Sequence, residues 1–262
     1  MPDAPGTVRA VLPAPRTLWA GPVRVSVRPW PGSSTRASLT FAGGHGDAVA
    51  LPPADEMARW VSSIRAMGYR SVRTGAVGPN VAEQLLALGF CVVQDLVLLS
   101  ADLGHAASLR PGSRGALRPR RVRVPGRRTV RRILEVDGAA FPEGWSLDAG
   151  AFRDARSATA HHGVWTVRDG RNPVGFVLAG ADGTTGYVQR LAVEPRAQGR
   201  GAGALLLDRA HAWMGSRGCS TAYVNTEPHN EHALSLYRRF GYSALPYRLS
   251  VLEMDLHTGI RP

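Results

Sequence analysis

Gln198-Gly199-Arg200-Gly201-Ala202-Gly203, running into Ala204-Leu205-Leu206-Leu207, is the stretch on which the reading of this chain turns. The run Tyr187-Val188-Gln189-Arg190-Leu191-Ala192-Val193 before it has the composition of a β-strand, and the run to Met214 after it that of a helix. A strand feeding a glycine-rich turn that opens a helix leaves several backbone N–H groups without intrahelical acceptors, all pointing one way. The helix dipole adds partial positive charge there, so the turn is built to hold an anion, most naturally a diphosphate. Gly201 and Gly203 let the backbone approach a ligand and tolerate positive φ. No Gly-Lys-Ser/Thr follows, which argues against a P-loop, and the glycine spacing fails the dinucleotide fingerprint.

A second signature lies downstream, in Asn230-Glu231-His232-Ala233-Leu234-Ser235-Leu236-Tyr237-Arg238-Arg239-Phe240-Gly241-Tyr242. Asn230 is an N-cap residue, Ala233, Leu236, Tyr237 and Phe240 follow at helical spacing, and Gly241 ends the helix. Asn230 and Tyr237 are two turns apart, so they share a face about 10 Å apart along the axis. Taken alone, Tyr237 on this apolar stripe reads as a core tyrosine.

Together the two motifs resemble the GNAT superfamily of acetyl-CoA-dependent N-acetyltransferases. Its Gln/Arg-x-x-Gly-x-Gly/Ala signature falls on Gln198, Gly201 and Gly203. Its Asn…Tyr helix falls on Asn230 and Tyr237, and its helix-ending Gly-Phe/Tyr on Gly241-Tyr242. The resemblance covers about residues 116–256. It implies an α/β fold: a mixed, mostly antiparallel sheet flanked by helices, in the order β-α-α-β-β-β-α-β-α-β. It also implies acetyl-CoA as cosubstrate, held by Leu191, Ala192, Val193, Gln198, Gly199, Arg200, Gly201, Ala202, Gly203, Ala204, Asn230 and Tyr237, with no metal.

The chemistry so implied is direct attack of a primary amine, on a small molecule or a protein N-terminus, upon a thioester. A backbone N–H among Leu191, Ala192 and Val193 polarises the carbonyl, and Tyr237 protonates the leaving sulfur. The base is less well marked. Many relatives carry a Glu on the strand before the loop, where this chain has Tyr187 and Gln189; one branch carries it where this chain has Asn225. Glu194 and Glu227, at two strand ends, are left as bases acting through water. The loop Phe141-Pro142-Glu143-Gly144-Trp145 is expected over the acceptor, with Phe141, Glu143 and Trp145 as its contacts. The missing Glu leaves an alternative, a non-catalytic acyl-CoA-binding regulator.

The chain has 262 residues, 44% of them hydrophobic, enough for one large or two small cores. No stretch approaches a membrane span and Met1 to Gly6 lacks a signal-peptide pattern, so the expected compartment is the cytoplasm. Cys91 and Cys219 are too few for a disulfide framework, and His161-His162 reads as loop. All 32 basic residues are arginine, giving a net charge of +12. Residues 106–132 hold ten arginines and no acid, and so account for most of the excess. No aromatic residue interleaves them to stack bases, so a solvated linker and first strand is favoured over a nucleic-acid surface.

The expected domains are a degenerate GNAT-like α/β domain at 1–105, a linker at 106–116 and the catalytic domain at 117–262. The first half reads as helix Ala54–Met67, Gly68, strand, helix Asn80–Leu88, Gly89-Phe90 and strand, a faint copy of the order around Gly218 and Gly241. It carries Leu51-Pro52-Pro53 in place of the glycine loop and Leu85 in place of Tyr237, so it holds no second active site. Oligomeric state is left open.

Overall fold

The structure is a computed structural model; it describes residues 16–20, 23–42, 51–104, 117–170 and 172–257. The expected linker at 106–116 lies outside the described residues. The chain divides into two compact units, one of residues 1–94 with 250–262 and one of residues 95–249.

In the first unit, strands β1 (Arg16–Ala20), β2 (Val23–Pro29), β3 (Arg36–Ala42) and β4 (Ser71–Thr74) pair in that order. β4 also pairs with the end of β11 (Ser243–Asp255), through Arg73↔Glu253 and Met254↔Val72. Helices α1 (Ala54–Ala66) and α2 (Pro79–Ala87) bury Met57, Trp60, Val61, Ile64, Val81 and Leu85 against Val25, Leu39, Val72 and Leu252. Gly68 (φ +90°) and Gly89 (φ +91°) follow the two helices, where the left-handed conformation suits a residue without Cβ. On the sheet face away from that core, Glu253 accepts from Arg36 at 2.9 Å and from Arg73, whose guanidinium also lies over Trp30. β1 to β3 are not among the sequence-derived elements.

In the second unit the strand order runs β5-β10-β9-β8-β7-β6, β5 entering it from Asp95. Its strands are β5 (Cys91–Asp102), β6 (Arg118–Arg121), β7 (His161–Asp169), β8 (Asn172–Asp182), β9 (Thr185–Val193) and β10 (Thr221–Thr226). All these pairs are antiparallel except β9 with β10. β6 is only four residues long, with Pro119 inside it at the sheet edge, where a missing N–H is tolerated. His161 and His162 open β7 rather than lying in a loop, and Arg156 bonds to His162 Nε2.

Each face of this sheet has its own core. Helix α5 (Ala202–Ser216) buries Leu206, Leu207, Ala210 and Met214 against Val167, Val177, Val188 and Val224. Helices α3 (Arg127–Ala140) and α4 (Ala149–Ser157) bury Ile133, Val136 and Phe152 against Val164, Phe176, Leu178 and Ala192 on the other face. Fully burying one such side chain contributes about 1.5–3 kcal/mol. Helix α6 (Glu231–Arg239) is capped by Asn230 Oδ1, which accepts from Ala233 N at 3.1 Å, and Gly241 (φ +80°) lets the chain turn out of it. Among the described residues no helix is long and apolar enough to cross a membrane.

His211, on α5, lies edge-on to Phe240, and its Nε2 is 2.8 Å from Tyr242 Oη. Burial pushes its pKa down from 6.5 to about 4. The unfolded imidazole therefore takes up its proton before the folded one does. The resulting stability is complete above pH 6.5 and is lost as the pH falls towards 4, by up to about 3 kcal/mol. Denaturant midpoints of wild type and His211→Gln, compared from pH 7 to 4.5, should show a flatter acid decline in the variant. Parallel declines would place the acid lability elsewhere.

Candidate active site

The decisive feature is where β9 and β10 stop pairing. Their parallel register covers only Thr185↔Thr221, Gly186↔Ala222 and Tyr187↔Tyr223. Beyond that point β9 continues to Val193 on β8 and β10 continues to Thr226 on β5, so a gap opens between them. Glu194 N donates to Val174 O at 2.8 Å, and backbone direction alternates along a strand. Ala192 therefore points its N–H and C=O at β8, while Leu191 and Val193 turn theirs to the gap. The methyl group of Ala192 packs in the α3-side core.

At the end of β9 a short 3-10 turn, Pro195–Ala197, leads into the glycine loop. Gln198 Nε2 donates to Val193 O at 3.0 Å, closing the turn on the strand end. The left-handed positions are Gly199 (φ +71°) and Gly201 (φ +83°), Gly201 being the N-cap of α5. Gly203 is helical, and its reason is packing: a Cβ there would lie 3.1 Å from Leu236 Cδ2. The first bond of α5 is Leu205 N to Gly201 O, so Ala202, Gly203 and Ala204 have N–H groups without intrahelical acceptors. Among the described residues no side-chain cap bond forms at this helix end, and the dipole adds to the pull on an anion. Arg200, beside them, is paired with Asp169 at 2.7 Å.

Tyr237 is 5% exposed and lies edge-on to Tyr242, ring centroids 5.5 Å apart. Burial raises the pKa of its phenol well above the ordinary 10, so it holds its proton throughout the physiological range. Asn230 spends its side chain on the cap of α6. Glu194 and Glu227 each stand one residue past the end of a diverging strand. The Glu194 carboxylate is paired with Arg196 at 2.6 Å, and Glu227 is exposed.

The loop 141–147 is organised by two residues that the sequence reading passes over. Asp137, on α3 and 0% exposed, accepts from Arg190 of β9 at 2.7 and 2.9 Å. Arg190 Nη2 also donates to Trp145 O at 2.8 Å, and its guanidinium stands 3.4 Å over the Phe141 ring. Phe141 and Trp145 are thus brought to β9, whereas Glu143 is exposed. The one signal available in the sequence was a carboxylate four residues after Ile133, on the apolar stripe of α3. Among the described residues no three His, Cys, Asp or Glu gather as metal ligands do.

The acetyltransferase (GNAT) family model matches residues 130–242. These residues form a GNAT acetyltransferase domain. Solved structures of the same fold include a GCN5-related N-acetyltransferase from Kribbella flavida, at 17% identity and TM-score 0.59, covering 92% of this chain and 89% of that one. Another, from Sphaerobacter thermophilus, is 16% identical with TM-score 0.58, over 92% and 77% of the two chains. A tandem GNAT protein from the clavulanic acid biosynthesis pathway is 11% identical with TM-score 0.63, over 95% and 86%. At such identities the likeness is one of fold.

In this GNAT domain, Gly201→Val replaces a left-handed N-cap by a β-branched residue, at a cost of a few kcal/mol locally. Calorimetric titration with acetyl-CoA should show at least a tenfold loss of affinity, about 1.4 kcal/mol. Gly203→Ala presses only on the end of a leucine side chain and should bind within about threefold of wild type, a change below 1 kcal/mol. Unaltered affinity in Gly201→Val would remove the loop from the binding site.

Proposed function

We propose that the second unit moves an acetyl group from acetyl-CoA to a primary amine by direct attack. The observation that carries this reading is the inner edge of β9, which has no partner strand beyond Tyr187, ending at a helix N-terminus whose first N–H groups have no intrahelical acceptors. The chemistry of the two parts suits the two parts of the ligand. The N–H groups of Ala202, Gly203 and Ala204 would hold the diphosphate, and the gap-facing backbone of Leu191 and Val193 would pair with the amides of the pantetheine arm. When bound, acetyl-CoA supplies an activated thioester.

The remaining steps belong to the chain's own groups. A gap-facing N–H of β9 donates to the carbonyl oxygen and stabilises the negative charge that builds there on attack. The Tyr237 phenol, kept protonated by its burial, donates its proton toward the departing sulfur. The attacking nitrogen loses a proton through water to a strand-end carboxylate, Glu227 or Glu194. No nucleophilic Ser or Cys is required, and Cys219 is buried in the α5-side core. Phe141 and Trp145 border the acceptor.

Release of CoA with a panel of small amines and peptides tests the reading directly. Tight acetyl-CoA binding without amine-dependent release across the panel would make the domain an acyl-CoA sensor instead. In Tyr237→Phe the packing survives and the proton is lost. Turnover should fall about 10²–10⁴-fold with little change in acetyl-CoA affinity. A fall below about threefold, with chemistry rate-limiting, would make Tyr237 a core residue only.

A further inference from the structure

Asp137 is a carboxylate with no exposure to water, held in the α3-side core. Such a group is tolerated only when its lone pairs are answered almost completely. Here Arg190 answers both oxygens through Nε and Nη2, and Leu147 N adds a 2.6 Å bond to Oδ2. The guanidinium is then used twice more, by the Trp145 carbonyl and by the Phe141 ring. One planar cation therefore ties together α3, the loop 141–147 and β9.

Its placement depends on an irregularity in β9. Opposite β8 the register runs Ala179↔Val188 and then Leu178↔Arg190, leaving Gln189 as an extra residue. Val188 packs on the α5 side and Ala192 on the α3 side. With strict alternation both would share one face, and Arg190 would point away from Asp137. The bulge thus turns Arg190 towards the loop and, in the same stroke, sets Leu191 and Val193 to face the gap.

We infer that Arg190 is the positioning residue of the acceptor loop, holding Phe141 and Trp145 at a fixed distance from the backbone that faces the thioester. This rests on the acetyl-transfer reading above. The acceptor it implies is one gripped by an aromatic rim rather than by the exposed Glu143. Lysine cannot replace it: an ammonium keeps the charge but cannot bond both carboxylate oxygens and the Trp145 carbonyl in one plane while stacking on Phe141.

The test uses the full chain with the best acceptor from the amine panel. In Arg190→Lys the acceptor KM should rise about tenfold or more, as expected for a loop displaced by a fraction of an ångström, while the acetyl-CoA Kd stays within about twofold. Amide hydrogen exchange at Leu147 should accelerate in the same variant. Guanidinium ion added to Arg190→Gly should restore both readouts towards wild type. An acceptor KM unchanged in Arg190→Lys would overturn the assignment. So would a parallel worsening of acceptor KM and acetyl-CoA Kd, which a merely structural role produces. Absence of amine-dependent turnover in the wild-type protein defeats the acetyl-transfer reading and the acceptor role with it, so the two failures are distinguishable.

Discussion

Side chains of a strand alternate between two faces, and β9 has to satisfy three neighbours under that rule. It contributes Val188, Leu191 and Val193 to the α5-side core, Ala192 to the α3-side core and Arg190 to a buried carboxylate. No strictly alternating strand delivers that set. A single unmatched residue, Gln189, shifts the phase between Val188 and Arg190 and makes the assignments compatible. The gap-facing direction of Leu191 and Val193, the anchorage of the 141–147 loop and the continuity of both cores follow from that one shift. The glycine loop comes after it in the chain and inherits its starting point, since Gln198 is tied to the Val193 carbonyl.

Local signals in the sequence were legible where they act over a few residues. The strand, glycine turn and helix around Gly201 are readable because glycine and periodicity speak locally, and the Asn230 cap and the Gly241 exit are readable for the same reason. β1 to β3 were passed over, although Val23-Arg24-Val25-Ser26-Val27-Arg28 alternates as a strand does; what the sequence does not carry is the pairing of β3 with β4, 35 residues further on. The packing constraint on Gly203 was not legible, because the side chain that a Cβ there would meet is Leu236, of a helix more than thirty residues away. The Asp137–Arg190 pair spans 53 residues, and neither partner carries a local mark beyond a charge on an apolar stripe. Only a fold brings such a pair together.

Charge in the second unit is sorted by depth. The arginines of β6 and the start of α3 are exposed, and Arg131 and Arg132 share Glu135 as partner. Such surface pairs contribute a fraction of a kcal/mol each. The buried pair is of another kind, because removing either partner leaves an unanswered charge in an apolar interior. The absence of lysine has a chemical side as well. Guanidinium stays protonated across the physiological range and is a poor nucleophile, so an acyl-transferring domain built this way offers no side-chain amine of its own to an activated acyl group.

The opening between β9 and β10 is an interior strand edge left without a partner, in a sheet otherwise paired on both sides of it. An extended ligand that bonds to this edge occupies the place of a missing strand, and the sheet is then complete only in its presence. Folding and occupancy become linked quantities. At a ligand concentration a hundred times its dissociation constant, the linkage adds about 2.7 kcal/mol to stability, a large share of what a domain of this size possesses. The lifetime of the folded protein would then track the supply of the molecule it binds, so that a shortage of ligand is felt first as a loss of protein.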